Sequence, residues 1–144
     1  MLCHCWGVEH DVYLGTAAGE IYRFNQEDVY RIVFEDEDDM QYNETTEPPK
    51  AKPAVTALLM SRSYVIAAFS DGTLKWIPDS DDLPLITRSV TSVAVSSLEF
   101  QPGFKALCVT TATRSVLEIP LNSSLLPIDT SPRTVCEHHP LSVQ

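Results

Sequence analysis

The stretch SYVIAAFSDGTLKWIP, residues 63–78, contains two apolar runs separated by an Asp-Gly pair. Asp-Gly between apolar runs is a strong short-range signal for a tight turn between antiparallel strands, because glycine readily adopts the positive φ angles that such turns need. The stretch therefore predicts a β-hairpin. Whether this hairpin stands alone or is repeated decides which fold and which function the chain indicates.

The hairpin pattern occurs three times along the chain. Aligning Gly72 with Gly19 matches residues 64–77 with residues 11–24, an offset of 53 residues. A third copy, at residues 106–119, follows the second at an offset of 42 residues. In each copy an apolar strand ends in small residues, a short turn follows, and apolar and polar residues alternate along the next strand. The chain is therefore expected to be a repeat protein.

Further strands flank these hairpins. Strands are predicted before the three copies at residues 2–6, 54–60 and 95–100, and after the first two copies at residues 29–35 and 84–92. Four short strands per unit, with a period near about 40–45 residues, is typical of a β-propeller blade. We therefore predict an all-β chain, a partial β-propeller of about three four-stranded antiparallel blades. The ring is incomplete, since a closed propeller has at least about four blades.

The pattern also predicts how the chain is divided and packed. The predicted parts are a blade at residues 1–35, an acidic inter-blade insertion at 36–53, blades at 54–92 and 93–128, and a connector with the start of a further blade at 129–144. Small residues are expected on the strands nearest the propeller axis, namely Gly15, Ala67, Ala68 and Thr110. Large residues are expected to fill the wedges between blades, namely Phe24, Phe34 and Trp76. Because blades stabilise one another by stacking, we expect the chain to be a fragment, or a truncated gene model, of a longer protein and poorly soluble alone.

The charge is negative and unevenly distributed. The net charge is −10, and residues 25–47 hold nine acidic residues against one basic residue, which accounts for eight of the ten excess negative charges. This balance argues against nucleic acid or an anionic membrane as the main partner. The run Glu35, Asp36, Glu37, Asp38 and Asp39 fits either a solvated insertion or a loop that binds a basic protein surface. The chain shows neither an export signal nor an apolar run of about 18 residues, so the cytoplasm is the expected compartment.

Metal and catalytic chemistry find little support in the sequence. Two groups of residues could suggest a metal, namely Cys3, His4 and Cys5 with His10, and Cys136 with His138 and His139. Neither group has the paired spacing of a structural zinc site, so we predict no metal and no cofactor. No nucleophile elbow, phosphate-binding glycine loop or zinc-protease helix motif occurs, so we predict a protein that is not an enzyme and has no small-molecule substrate.

Two stretches resemble the repeats of WD-repeat proteins. They are VTALLMSRSYVIAAFSDGTLKWIP, residues 55–78, and VSSLEFQPGFKALCVTTATRSVLEIPL, residues 95–121. Both have the succession strand, Ser or Pro turn, strand, turn and strand. The chain departs from the family at the terminal Trp-Asp pair, where Ile77-Pro78 and Ile119-Pro120 stand, and it has no Gly-His dipeptide. The buried hydrogen-bond network usual in that family is therefore not implied here.

Within that group, the chain is similar to the cilia- and flagella-associated WD-repeat proteins of the axoneme. The similarity is carried by LCHCWGVEHDVYLGTAAGEIYRFN, residues 2–25, and by KPAVTALLMSRSYVIAAFSDGTLKWI, residues 52–77, after an acidic insertion. The resemblance implies a scaffold of the cytoskeleton in the cilium or flagellum, which helps to tether dynein arms to doublet microtubules through axonemal or dynein-associated subunits. The alternative is a cytoplasmic WD-repeat adaptor, of the substrate-receptor or coat type, unrelated to cilia.

Overall fold

The computed structural model describes residues 3–7, 11–34, 52–80, 82–128 and 131–136. These residues form twelve β-strands and no helix. The strands make three four-stranded antiparallel sheets, in which neighbours along the chain are neighbours in the sheet. The all-β prediction, with about three four-stranded blades in an unclosed array, is confirmed. Within the described ranges there is no helix long and apolar enough to cross a membrane.

The three sheets follow one another along the chain, and we call them blade 1, blade 2 and blade 3. Blade 1 contains β1 (Cys3–Trp6), β2 (Val12–Gly15), β3 (Ile21–Phe24) and β4 (Val29–Ile32). Blade 2 contains β5 (Val55–Met60), β6 (Tyr64–Phe69), β7 (Thr73–Pro78) and β8 (Ile86–Ser89). Blade 3 contains β9 (Val95–Phe100), β10 (Ala106–Thr111), β11 (Val116–Pro120) and β12 (Arg133–Cys136).

Blade 3 extends beyond the predicted limit at residue 128. The sequence assigns residues 129–144 to a connector and a further blade, but β12 (Arg133–Cys136) pairs with β11 as the fourth strand of blade 3. The chain reaches this position through a loop held by Asn122, whose side-chain oxygen accepts hydrogen bonds from the amides of Ser124 and Leu126 at 2.8 and 3.2 Å. A short strand with few apolar residues leaves no alternating pattern, so sequence alone does not reveal it.

The turns of the three hairpins share one backbone conformation. Gly19 and Gly72 have φ angles of 80° and 86°, and Arg114, which stands at the aligned position of blade 3, has a φ of 67°. The amide of Gly72 donates to the Phe69 carbonyl at 3.1 Å, and that of Arg114 donates to the Thr111 carbonyl at 3.0 Å. The alignment made from sequence therefore matches three equivalent turns, although the third lacks glycine.

Two apolar clusters hold the blades together. One lies between blades 1 and 2 and contains Phe34, whose ring lies 5.9 Å from that of Phe69. The other lies between blades 2 and 3 and contains Trp76, which is fully buried. These two aromatic residues fill wedges between blades, as predicted. Phe24 is half-buried on the face of blade 1 that is turned away from blade 2, so no described blade packs against it and its place in a wedge stays a prediction.

The small residues lie on the second strands and not on the innermost ones. The first strands β1, β5 and β9 contact one another in succession, so they are the strands closest to the propeller axis. The predicted placement of Gly15, Ala67, Ala68 and Thr110 on the innermost strands is therefore wrong. At Gly15 the reason for a small residue is the next blade, since a Cβ atom there would lie 2.5 Å from Cγ1 of Val55 on β5.

Candidate interaction surfaces

The acidic run predicted as a partner-binding loop lies outside the described residues. It comprises Glu35, Asp36, Glu37, Asp38 and Asp39. Its role therefore stays a prediction. Phe34, which precedes the run in the sequence, is buried in the cluster between blades 1 and 2.

The cysteines of β1 belong to the packing between blades 1 and 2. The Cys3 thiol donates a hydrogen bond to the Val55 carbonyl at 3.6 Å, and both Cys3 and Cys5 pack against the cluster there. Burial raises the pKa of both thiols, that of Cys5 to about 12, with the neighbouring Cys3 and Asp11 adding to the effect at Cys5. Such thiols stay protonated near neutral pH and are poor nucleophiles and metal ligands.

The residues that could suggest a metal are not brought together by the described part of the fold. Over residues 3–7, 11–34, 52–80, 82–128 and 131–136, no group of three His, Cys, Asp or Glu side chains is arranged to hold an ion. His4 is exposed on β1, on the sheet face opposite to that of Cys3 and Cys5. His10, His138 and His139 lie outside the described residues, as noted for the acidic run.

An ion pair that the sequence analysis did not single out links Asp11, just before β2, to Arg23 on β3. Asp11 is only 2% exposed and accepts a bond of 2.6 Å from Nε of Arg23 on β3. The Arg23 guanidinium lies 5.9 Å from the centre of the Tyr13 ring, within the range of a cation–π contact. Burial raises the pKa of Tyr13, an effect that Arg23 partly offsets. An isolated Asp before a strand carries no periodic signal, so only the folded chain reveals this pair.

A cleft between blades 1 and 2 lies beside this pair. It has a volume of about 180 Å³, and its polar walls include Tyr13, Arg23, Tyr30 and Asp79. Such a volume is well below the roughly 300 Å³ at which ligand pockets begin. The cleft is therefore better suited to a side chain of a partner protein than to a small-molecule substrate.

The free face of blade 3, turned away from blade 2, is largely polar. Pairing across the strands places Glu118 beside Cys108 and Arg133 on this face, with Glu99 next to Cys108. Glu118 accepts a hydrogen bond of 2.6 Å from the Gln101 side chain and forms an ion pair with Arg133 at 3.3 Å. Glu118 and Arg133 are thus bonded to each other within the face.

The free face of blade 1, turned away from blade 2, is largely apolar. Two rows of paired residues cross it, namely His4, Leu14, Tyr22 and Arg31, and Trp6, Val12, Phe24 and Val29. Trp6 is 67% exposed and Val29 is 56% exposed. Contiguous apolar patches on a soluble protein mark interaction sites more often than scattered single residues do. The two ends of the array therefore differ in chemistry.

Comparison with known proteins was made for sequence and for structure. No protein-family profile and no curated protein matches the sequence. The structure is similar to the crystal structure of the β-propeller domain of Cps50 (Swd1) from Myceliophteria thermophila, with a TM-score of 0.59, 14% sequence identity and coverage of 90% of this chain and 41% of that chain. The chain has the β-propeller fold. It spans about two-fifths of the length of that propeller domain. At this level of identity the likeness concerns the fold alone.

The propeller fold is also that of the WD-repeat proteins that the sequence resembles. Blades of this kind are sheets packed face to face, and in this chain each interior face is filled by apolar side chains. Among the described residues, the surfaces that no other sheet covers are the two outer faces, the clefts between blades and the connecting loops. A rigid array with several such surfaces is suited to holding other proteins.

Proposed function

We propose that the chain is a non-catalytic protein-interaction scaffold. The observation that carries this proposal is the stacked blade array, which leaves a broad apolar face on blade 1 and a polar face on blade 3. An exposed sheet face of this kind binds another protein by burying surface area against it and by matching its shape. Cys3 and Cys5 pack between blades 1 and 2 and burial raises the pKa of both thiols, so they are poor nucleophiles.

The finer proposal is that this scaffold works in the cilium or flagellum, where it helps to tether dynein arms to doublet microtubules and supports movement. Its support is the sequence resemblance of residues 2–25 and 52–77 to axonemal WD-repeat proteins. The alternative is a cytoplasmic adaptor of the substrate-receptor or coat type.

Localisation in a ciliated cell distinguishes the two proposals. The tagged chain is expected along the axoneme and to stay there after detergent extraction of the membrane, together with dynein-arm subunits. A diffuse cytoplasmic signal that detergent removes would favour the adaptor. The variant Trp76→Asp serves as control, because an acidic group in the cluster between blades 2 and 3 unfolds the array and should abolish either location.

The acidic run is proposed as one contact of this scaffold with a basic protein surface. Replacing Glu35, Asp36, Glu37, Asp38 and Asp39 together by Ser is expected to weaken partner binding strongly at low salt and little at high salt, since salt screens such attraction. The variant Glu27→Ser with Asp82→Ser removes exposed acids outside the run and is the control. Equal binding of all three proteins at both salt concentrations would leave the run as a solvated insertion.

A further inference from the structure

A groove with basic walls lies between blades 2 and 3, on the side of the array that carries the turns between first and second strands. Its lining comes from Arg62, in the turn between β5 and β6, and from two loops of blade 3 at residues 103–105 and 121–125. We call it the basic groove. Its volume is about 260 Å³, below the roughly 300 Å³ at which small-molecule pockets begin. The basic groove therefore fits one side chain of a peptide better than a cofactor.

The two cations of the basic groove are not neutralised by the described chain. Nη1 of Arg62 donates a hydrogen bond of 3.2 Å to the Ser123 carbonyl, which links blade 2 to blade 3 across the groove. Within the described ranges, no carboxylate forms an ion pair with Arg62 or Lys105, and none lines the groove. The chain has 20 acidic and 10 basic residues, so its composition does not favour two cations without an acidic partner. The basic groove is thus a positive site on a strongly negative protein.

The backbone of the basic groove is held in an unfavourable conformation at two places. Among the described residues other than glycine, three have a positive φ, and one of them, Arg114, stands at the turn position where the other blades have glycine. The other two are Phe104, with a φ of 57°, and Leu125, with a φ of 62°, and both line the groove. Bulky residues rarely adopt this region, because their Cβ atom lies too close to a carbonyl oxygen. Backbone strain of this kind clusters at functional sites, so it marks the groove as a candidate.

The two strained loops provide the apolar part of the basic groove. The Phe104 ring meets the Phe100 ring edge-on, with 5.5 Å between their centres. The Phe104 side chain is nevertheless 54% exposed. Leu121 and Leu125 are buried and form an apolar wall of the groove. The groove therefore combines an exposed aromatic ring, an apolar wall and two cations.

We propose that the basic groove binds a linear acidic peptide of a partner protein, in which Asp or Glu residues flank one apolar side chain. The apolar side chain lies against Phe104 and Leu125, and the flanking carboxylates accept hydrogen bonds from Lys105 and Arg62. A guanidinium has several N–H donors, so Arg62 keeps some of them for a carboxylate while it bonds to Ser123. This proposal rests on the proposed scaffold function and names the chemistry of one partner contact.

The charge of the whole chain favours a peptide over a nucleic acid at this site. A nucleic acid carries many phosphates, and most of them would lie near a protein with a net charge of −10. A short acidic peptide responds mainly to the local positive field of Arg62 and Lys105. The exposed Phe104 ring adds a contact for an apolar side chain, which an inorganic anion would not use.

Selection from a phage library of random heptapeptides, on the immobilised and purified full chain, tests the proposal. The selected peptides are expected to carry Asp or Glu on either side of an apolar residue. Fluorescence anisotropy then measures the affinity of a labelled selected peptide. The variant Arg62→Glu with Lys105→Glu should weaken this affinity by about tenfold or more, because two attractive charges become repulsive. The control Arg31→Glu with Arg114→Glu makes the same charge change at exposed residues outside the groove and should bind as the unmodified chain does.

A second variant separates binding from folding. Phe104→Asn removes the exposed ring, and Asn adopts a positive φ more readily than Phe does. Thermal unfolding of this variant should therefore occur at the same temperature as in the unmodified chain, or at a higher one. Its affinity for the selected peptide should fall by about tenfold, as expected when an aromatic anchor is lost from a contact.

Three results would overturn the proposal. The first is a set of selected peptides that is not enriched in Asp or Glu. The second is equal affinity of these peptides for the unmodified chain and for the variant of Arg62 and Lys105. The third is tighter binding of single-stranded DNA, or of a synthetic peptide of residues 35–47, than of any selected peptide, if the same variant loses that binding.

Failure of this site and failure of the scaffold function give different results. Peptides that bind equally well to the variant of Arg62 and Lys105 would contact another surface, so the scaffold function would stand while the basic groove would not be the site. A library that yields no binding peptide would count against both.

Discussion

Substitution of Gly72 by Ala is predicted to weaken the contact between blades 2 and 3 without changing any side chain of the core. Gly72 has a φ of 86°, and its carbonyl accepts hydrogen bonds from the amides of Val90 and Thr91 at 3.1 and 3.3 Å. A Cβ atom at this position would overlap the Thr91 carbonyl oxygen, so the segment leading into blade 3 must move away.

The magnitude follows from two effects. A non-glycine residue at a positive φ costs about 1 kcal/mol. Displacing the lead-in segment adds the loss of two backbone hydrogen bonds, at about 1 kcal/mol each. The free energy of unfolding should therefore fall by about 3 kcal/mol, which is a large share of the stability of a domain of this size. Urea titration followed by circular dichroism measures the change.

Gly103 provides a matched control for this experiment. Its φ is 87°, almost that of Gly72, but a Cβ atom there would meet nothing within 4 Å. Gly103→Ala should therefore cost only the conformational part, about 1 kcal/mol. Equal losses for the two variants would refute the reasoning that the glycine is required by the following blade. Arg114→Gly completes the set and should stabilise blade 3 slightly, by up to about 1 kcal/mol, since it relieves a positive φ of 67°.

Three further predictions concern buried residues of blades 1 and 2. Trp76→Ala should lower the free energy of unfolding by about 4 kcal/mol in urea titration, because it leaves a cavity in the cluster between blades 2 and 3. A loss below about 1 kcal/mol would contradict the burial of the Trp76 side chain. Asp11→Asn should lower the free energy of unfolding by about 2 kcal/mol, less than for a fully buried pair because the Arg23 side chain is 37% exposed. An unchanged free energy of unfolding would mean that the pair contributes nothing. Folding raises the pKa of Cys5 from 9.0 to about 12, so above about pH 9 the folded chain keeps a proton that the unfolded chain releases. The free energy of unfolding should therefore fall as pH rises from about 9 toward 12. Urea titrations at several pH values should show this fall, and Cys5→Ala should flatten it.

Much of the blade pattern could be predicted from the sequence. The Asp-Gly pair at residues 71 and 72 and the alternating residues on either side predicted a hairpin, and the structure has β6 and β7 there. These signals are local, because turn geometry depends on one or two residues and alternation on a single strand. β12 was missed for the same reason, since Arg133–Cys136 has no alternation and its place depends on pairing with β11.

The candidate surfaces were less accessible to prediction. The sequence pointed to the residues 35–39 and to clusters of Cys and His, whereas the described part of the chain shows two free faces with different chemistry. Alternation of apolar and polar residues along a strand indicates that its two faces differ in chemistry. It does not indicate which neighbouring blade covers each face. Phe24 illustrates this, because its side chain is as apolar as that of Ile77 and yet faces away from the other blades.

The sequence by itself determined the hairpins, the repeat and the blade composition, because these depend on residues close together along the chain. Tertiary structure alone decided which strands are innermost, which glycine lies under a neighbouring blade, and which sheet faces are left open. Those features depend on contacts between residues far apart in sequence, such as Gly72 with Thr91 and Gly15 with Val55. Only stacked blades bring such residues together, so the difference between the apolar and the polar end of the array exists in the fold and not in any single repeat.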